Sequence, residues 1–197
     1  MRLFLPGGSS SGVTSVTGTA PITSSGGATP AIGLTPITYW QTPGTGTSIA
    51  QIPLGGANQV YVSGVPIYYP ISAGHLTFDV GTADAGGSLY DVGFYNAAGT
   101  LVANLGATAF TTTGFKTTAF AQGTVRFNPG LYFIGFTGNG GTLQIYGNPG
   151  GSSLVFVFGF NTNVATSSGG ALPASITPPS AAAPDNTHSQ LWLAMTP

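Results

Sequence analysis

Hydrophobic and polar residues alternate along several short stretches of this chain. Between positions 75 and 80, Leu76, Phe78 and Val80 fall on one face, and polar residues fall on the other. The stretch 89–96 alternates in the same way. A period of two is typical of β-strands, and no window sustains a helical 3.6-residue period without Gly, Pro or a Thr/Val run interrupting it. The pattern therefore predicts an all-β protein.

Turn sequences separate the predicted strands, among them Ala97-Ala98-Gly99-Thr100 and Pro129-Gly130. Many short strands at close spacing predict an antiparallel β-sandwich, jelly-roll-like, with an extended N-terminal arm. The predicted strands are 37–40, 59–63, 67–71, 75–80, 89–96, 101–105, 115–120, 124–127, 131–137, 142–146, 154–160 and 190–195.

Two of these strands, at 131–136 and 154–160, are apolar on both faces. An antiparallel sheet commonly exposes one face to water, so such strands need cover on both sides. They are either central and covered by their own chain, or they meet another subunit. We favour the subunit contact, because few charged residues remain to guard exposed edges.

The chain divides by composition into an arm and a domain. Residues 1–36 are rich in Gly, Ser and Thr and are predicted to be an attachment arm that adds to the sheets of neighbouring chains. Residues 37–197 are predicted to form the sandwich, with a Gly/Pro/Ala-rich loop or second arm at 161–188 and a final strand at 190–195. The predicted anchors of the arm are Val13, Val16, Ile22, Ile32 and Leu34.

Charge is nearly absent, since only 4% of 197 residues are charged and the net charge is −1. A surface of this kind is either covered by other copies or solvated by hydroxyls and amides, which indicates part of an assembly. With so few basic residues, the chain offers no basic surface for nucleic acid. Its longest apolar run is far shorter than the roughly 20 residues of a membrane-spanning helix. The first residues are too short an apolar stretch for a signal peptide. With no Cys, neither disulfides nor thiolate metal sites are available.

Candidates for catalysis are few. A Ser-His-Asp triad would need His75 and Asp79 in contact. They share a predicted strand face but stand roughly 13 Å apart, too far for a direct hydrogen bond. Asp79 and Asp91 could lie on neighbouring strands as an acid pair, and Asp79 with the Asp84 loop could offer oxygens to Ca²⁺. The simpler expectation is that Asp79 or Asp91 pairs with Lys116 or Arg126, or caps a turn, and that Asp84 shapes a turn. We predict no catalytic residues, no metal and no cofactor.

Aromatic residues give the best binding hypothesis. Rings can lie flat on pyranose faces while amide and hydroxyl side chains bind sugar hydroxyls. The alternative for each ring is a place in the core or a subunit contact. The predicted stacking residues are Tyr39, Trp40, Tyr61, Tyr68 and Tyr69.

Two regions resemble virion proteins of tailed bacteriophages. The arm sequence GVTSVTGTAPITSSGG, residues 12–27, is similar to segments of tail fibres. A second resemblance covers about 59–146. The stretches there that are similar in order and spacing to β-sandwich modules of phage tail and fibre proteins are VYV (60–62), HLTFDV (75–80), LYDVGFYN (89–96), GTLVA (99–103), TGFKT (113–117) and PGLYF (129–133). The resemblance implies a non-enzymatic structural role in a virion and a homotrimer, and it brings no catalytic residues.

We therefore predict a structural virion protein: a fibre, spike or capsid decoration protein. It would dock on other virion proteins through its arm and carry the sandwich for host attachment, with a host surface glycan as the candidate ligand. A stand-alone carbohydrate-binding module or adhesin is the alternative. A polysaccharide-degrading enzyme is a third hypothesis, and it requires an acid pair.

Overall fold

The computed structural model describes residues 22–25, 32–34, 40–41, 50–53, 58–148, 160–179 and 190–197. No helix occurs in these ranges, and every strand pair is antiparallel, so the predicted all-β, sandwich-like fold is confirmed. The strands are β1 (Ile22–Ser24), β2 (Ile32–Leu34), β3 (Trp40–Gln41), β4 (Ala50–Pro53), β5 (Gln59–Ile67), β6 (Ile71–Ala73), β7 (His75–Thr82), β8 (Leu89–Asn96), β9 (Leu101–Asn104), β10 (Thr108–Ala109), β11 (Gly114–Ala119), β12 (Val125–Phe127), β13 (Gly130–Gly138), β14 (Gln144–Asn148), β15 (Phe160–Thr166), β16 (Gln190–Leu191) and β17 (Ala194–Thr196).

The chain forms two compact units, Met1–Pro36 and Ile37–Pro197. In the first unit β1 pairs with β2, with Ile22 opposite Leu34 and Ser24 opposite Ile32. The described part of the predicted extended arm is thus a small antiparallel ladder that turns back on itself. Its role in attachment stays a prediction.

Two large sheets and one two-stranded ladder make up the described part of the second unit. In the described part of one sheet the order is β10-β8-β13-β5-β15, and β9 also pairs with β8. In the other the order is β16-β14-β7-β17-β3, with β11 on β7 and β4 on β14. A short ladder of β6 and β12 continues the antiparallel β7–β11 ladder beyond Gly74.

The main core lies between these sheets. Leu76, Phe78 and Val80 of β7 are buried, as the alternation predicts, and face the buried side chains of β8 and β13. Phe127 packs edge to face against Phe94 with ring centroids 5.3 Å apart. Interdigitated rings of this kind contribute buried area and favourable edge-to-face geometry.

Residues 167–179, here called the strap, cover the outer face of the β8–β13–β5 sheet. Leu172 and Ile176 of the strap pack on Val62, Tyr95 and Phe133, all of them buried. The expectation of a subunit contact on strand 131–136 is therefore wrong from Tyr132 onward, because the chain itself covers both faces of β13 there, while Leu131 stays 44% exposed. The residues 154–159 of the second apolar strand lie outside the described residues.

Several predicted boundaries also change. The sequence prediction placed strands at 59–63 and 67–71, whereas β5 runs unbroken from Gln59 to Ile67 and Tyr68–Pro70 connect it to β6. Part of the predicted loop 161–188 is strand, since β15 continues to Thr166 and pairs with β5. The predicted turn at Ala97–Thr100 is confirmed, and Gly99 within it has φ +80°.

Candidate functional site

Two exposed tyrosines stand in the connection between β5 and β6. Tyr68 is 71% exposed and Tyr69 is 60% exposed. Register places Leu131, itself 44% exposed, opposite Pro66 and so next to this connection. We call Tyr68, Tyr69 and Leu131 the aromatic tip. Exposed large apolar side chains that lie near one another in the sheet are a candidate contact surface.

Tyr61 does not belong to this surface. Its ring stacks on Phe136 with centroids 5.2 Å apart and an interplanar angle of 12°. Its hydroxyl donates to Gln59 Oε1 at 2.6 Å, and the residue packs against the main core. The core alternative therefore describes Tyr61 better than a stacking role.

For the other residues proposed from sequence, the structure describes either the backbone position alone or nothing. Trp40 lies on β3 and pairs with Met195, and its side chain lies outside the described residues, as does Tyr39 altogether. In the arm, Ile22, Ile32 and Leu34 all lie on the β1–β2 ladder. Val13 and Val16 lie outside the described residues.

The structure separates Asp79 and Asp91. Asp79 lies on β7, on the face opposite the core, directly across from Phe115 of β11. Asp91 lies on β8, in the other sheet, with its side chain under the strap. The hypothesis of an acid pair on neighbouring strands is therefore wrong. Within the described residues no group of three or more His, Asp or Glu could hold a metal ion.

Asp91 is a fully buried carboxyl held by amides. Its Oδ2 accepts from Asn104 Nδ2 at 2.6 Å and from the backbone amide of Leu172 at 2.9 Å. Its Oδ1 is buried without a hydrogen-bond partner. Burial raises the pKa of Asp91. The hydrogen bonds from Leu172 and Asn104, together with the nearby backbone amides of Gly106 and Leu105, oppose that shift only in part. Asp91 therefore has a structural role: its hydrogen bond from Leu172 joins the strap to β8.

The predicted ion pairs do not form at either acid. Lys116 Nζ donates to Thr112 Oγ1 at 2.6 Å and to the Thr113 carbonyl at 3.1 Å. Arg126 Nε donates to Asn128 Oδ1 at 3.4 Å. Both cations therefore bind neutral groups close to them in sequence.

Asp84 does shape a turn, as predicted. Its Oδ1 accepts from the Gly86 amide at 2.9 Å, and its Oδ2 accepts from the Tyr90 hydroxyl at 2.5 Å. The bond from Tyr90 is the main reason why the pKa of Asp84 lies below its ordinary value. Burial, followed by the contact with Asp84, raises the pKa of Tyr90.

Among the described residues, strand β11 is paired along one side only. It pairs with β7 from Gly114 to Ala119, and no described strand pairs with its other edge. Phe115 on this strand is 81% exposed, and Thr117 and Ala119 are exposed as well. The sequence predicts a strand at 115–120 but does not distinguish it from the other predicted strands. Its edge position follows from sheet order, which a single sequence does not reveal.

Comparisons with models of protein families, with curated proteins and with solved structures found no match. No helix in the described residues is long and apolar enough to cross a membrane.

Proposed function

We propose that this chain is a non-enzymatic structural subunit of a bacteriophage virion. It docks on neighbouring virion proteins through Met1–Pro36 and carries the Ile37–Pro197 sandwich as a contact module. The two-unit division is the observation that carries the proposal, because it gives a domain with its own core and a separate low-charge segment. The resemblance of 12–27 and of about 59–146 to tail and fibre segments supports the same class.

The strap limits which surfaces of the sandwich can contact other virion proteins. Because it covers the outer face of β13 from within the chain, that face is not available for subunits. Contacts with other molecules then depend on the surfaces that stay uncovered. Those include the aromatic tip and the β11 edge.

The proposal is tested in the particle that carries the chain. Changing Ile22, Ile32 and Leu34 together to Ser removes the apolar residues of the β1–β2 ladder and leaves the sandwich sequence intact. We expect normal expression and loss of the chain from purified particles. The matched control changes Tyr68 and Tyr69 to Ser, which leaves the first unit unchanged and should incorporate normally. Equal incorporation of both variants would contradict the docking role.

Carbohydrate binding is the second candidate, and the exposed pair Tyr68 and Tyr69 favours it. Both phenol rings are exposed to solvent, so a pyranose ring would have access to stack on them. In a virion, many weak sites of this kind would add through effective concentration. Host attachment and glycan binding are then one activity of the aromatic tip.

A further inference from the structure

The open edge of β11 carries backbone groups that are ready to pair. The Phe120 amide donates to the Gly74 carbonyl at 2.8 Å, in register with the β7–β11 ladder. Backbone groups alternate in direction along a strand, so those of even-numbered β11 residues point toward β7. The amides and carbonyls of Phe115, Thr117 and Ala119 therefore point to the open side.

This edge lacks the usual protection. Natural edge strands are guarded by projecting charges, Pro or bulges. The one charged residue of β11, Lys116, folds its ammonium back onto Thr112 and Thr113. Phe115 stands beside it, 81% exposed. The edge is thus unguarded and apolar at one end.

We infer that β11 pairs with β11 of a second copy of this chain, antiparallel about a two-fold axis at Thr117. In this register Thr117 meets Thr117 of the second copy, and Phe115 lies across from Ala119 in both halves. All three outward residues of each strand then form hydrogen-bonded pairs, giving about six backbone hydrogen bonds. The contact joins the two β7-containing sheets into one continuous sheet.

Neighbouring registers fit less well. An axis at Lys116 would set the two lysines directly opposite each other, and like charges in that position destabilise a sheet. An axis at Thr118 pairs only Thr117 and Ala119 of each strand, which gives about four hydrogen bonds. The net charge of −1 per chain opposes self-association only weakly.

This inference extends the proposed function by naming one contact between copies. Its test uses the isolated full-length chain, so it can fail while docking through Met1–Pro36 succeeds, and the reverse. Sedimentation velocity from about 1 to about 500 µM measures the monomer–dimer balance. We expect the natural sequence to dimerise within this range.

Two variants at one position separate backbone pairing from side-chain contact. Thr117→Pro removes an outward amide that β7 does not use, and Pro is tolerated on the open side of an edge strand. Thr117→Val is the matched control, because it also loses the hydroxyl contact between Thr117 and Thr77 at 2.9 Å but keeps the amide. We expect at least a tenfold weaker dimer for Thr117→Pro and an unchanged dimer for Thr117→Val.

Cysteine crosslinking tests the register even if the Pro variant unfolds. The chain has no Cys, so each introduced thiol is unique. Thr117→Cys would bring two Cα atoms to about 5.5 Å, within disulfide range. Ala119→Cys would place them about 14 Å apart, beyond that range. We expect a covalent dimer on mild oxidation for Thr117→Cys alone.

Several results would overturn the inference. These are a monomer at every concentration, a dimer or trimer that Thr117→Pro leaves intact, or equal crosslinking at positions 117 and 119.

Discussion

The backbone amide of Leu172 donates to the buried carboxyl of Asp91 at 2.9 Å, and this bond fastens the strap to β8. The Tyr95 hydroxyl makes a second bond to the strap, donating to the Pro173 carbonyl at 2.9 Å. An unpaired buried acceptor or donor costs about 1–3 kcal/mol, so these bonds matter to the seating of the strap. The Asp91 carboxyl thus has a structural role, because it holds the strap on the sheet.

Asp91 and Asp84 should give opposite pH signatures of stability. Burial raises the folded-state pKa of Asp91, so its contribution is most favourable below the ordinary value of 3.8 and is lost as pH rises through the raised pKa. The pKa of Asp84 is lowered by its bond from Tyr90, so its contribution is present above 3.8 and is lost as pH falls through the lowered pKa.

Urea unfolding of Asp91→Asn and Asp84→Asn across the acid range measures this difference. Relative to the natural chain, Asp91→Asn should gain stability as pH rises, and Asp84→Asn should lose it. Asp79→Asn, on the outward face of β7, is the control for a general effect of removing one charge. Parallel curves for Asp91→Asn and Asp84→Asn would refute the assignment of these two environments.

Gly99 ties the turn after β8 to the strap. It has φ +80°, and a Cβ there would stand 2.2 Å from the Ile176 carbonyl oxygen. Its own carbonyl accepts from the Ile176 amide at 2.9 Å. We expect Gly99→Ala to destabilise the protein by about 2–4 kcal/mol, from the left-handed backbone together with the clash.

The matched control is Gly123→Ala. Gly123 has φ +71°, and nothing lies within 4 Å of its added Cβ, so only the backbone cost of about 1–2 kcal/mol applies. Hydrogen exchange adds a local reading, because the Leu101 and Ile176 amides bond across this junction. Equal losses in both variants, with Ile176 still protected in Gly99→Ala, would show that the strap does not depend on this contact.

The fold was largely predictable, while the cover of its outer face was not. Period-two patterns located β7 and β8 because alternation marks strands directly. Leu172 and Ile176 are isolated apolar residues in a run of Gly, Ala and Pro, with no periodicity to mark them. Asp91 occupied the polar side of an alternating strand, and its burial depends on that unmarked strap.

The stacking residues show the same limit. Tyr61 and Tyr68 both lie in predicted strands, and the residue type alone does not distinguish their environments. Tyr61 falls inside β5 and stacks on Phe136, whereas Tyr68 falls just beyond the end of β5. The sequence prediction ended this strand at residue 63, so it could not assign the two rings to different environments.

Tyr68 and Tyr69 should be dispensable for folding and required for attachment. Because both are mostly exposed, changing them together to Ala should alter the free energy of unfolding by about 0.5 kcal/mol or less. A glycan array with the natural full-length chain, followed by the double variant, measures the binding role. Tyr61→Phe is the control, since it keeps the ring stacked on Phe136. Glycan binding that survives the double change would place the site elsewhere.

The most direct measurement removes residues 1–36 and follows both stability and particle incorporation of the remaining chain. Because the main core and the strap lie within Ile37–Pro197, we expect one cooperative thermal transition with a midpoint within about 3 °C of the full chain. We also expect that purified particles lack the truncated protein. A truncated protein that incorporates like the full chain, or that no longer folds, would contradict the division of labour between the two units.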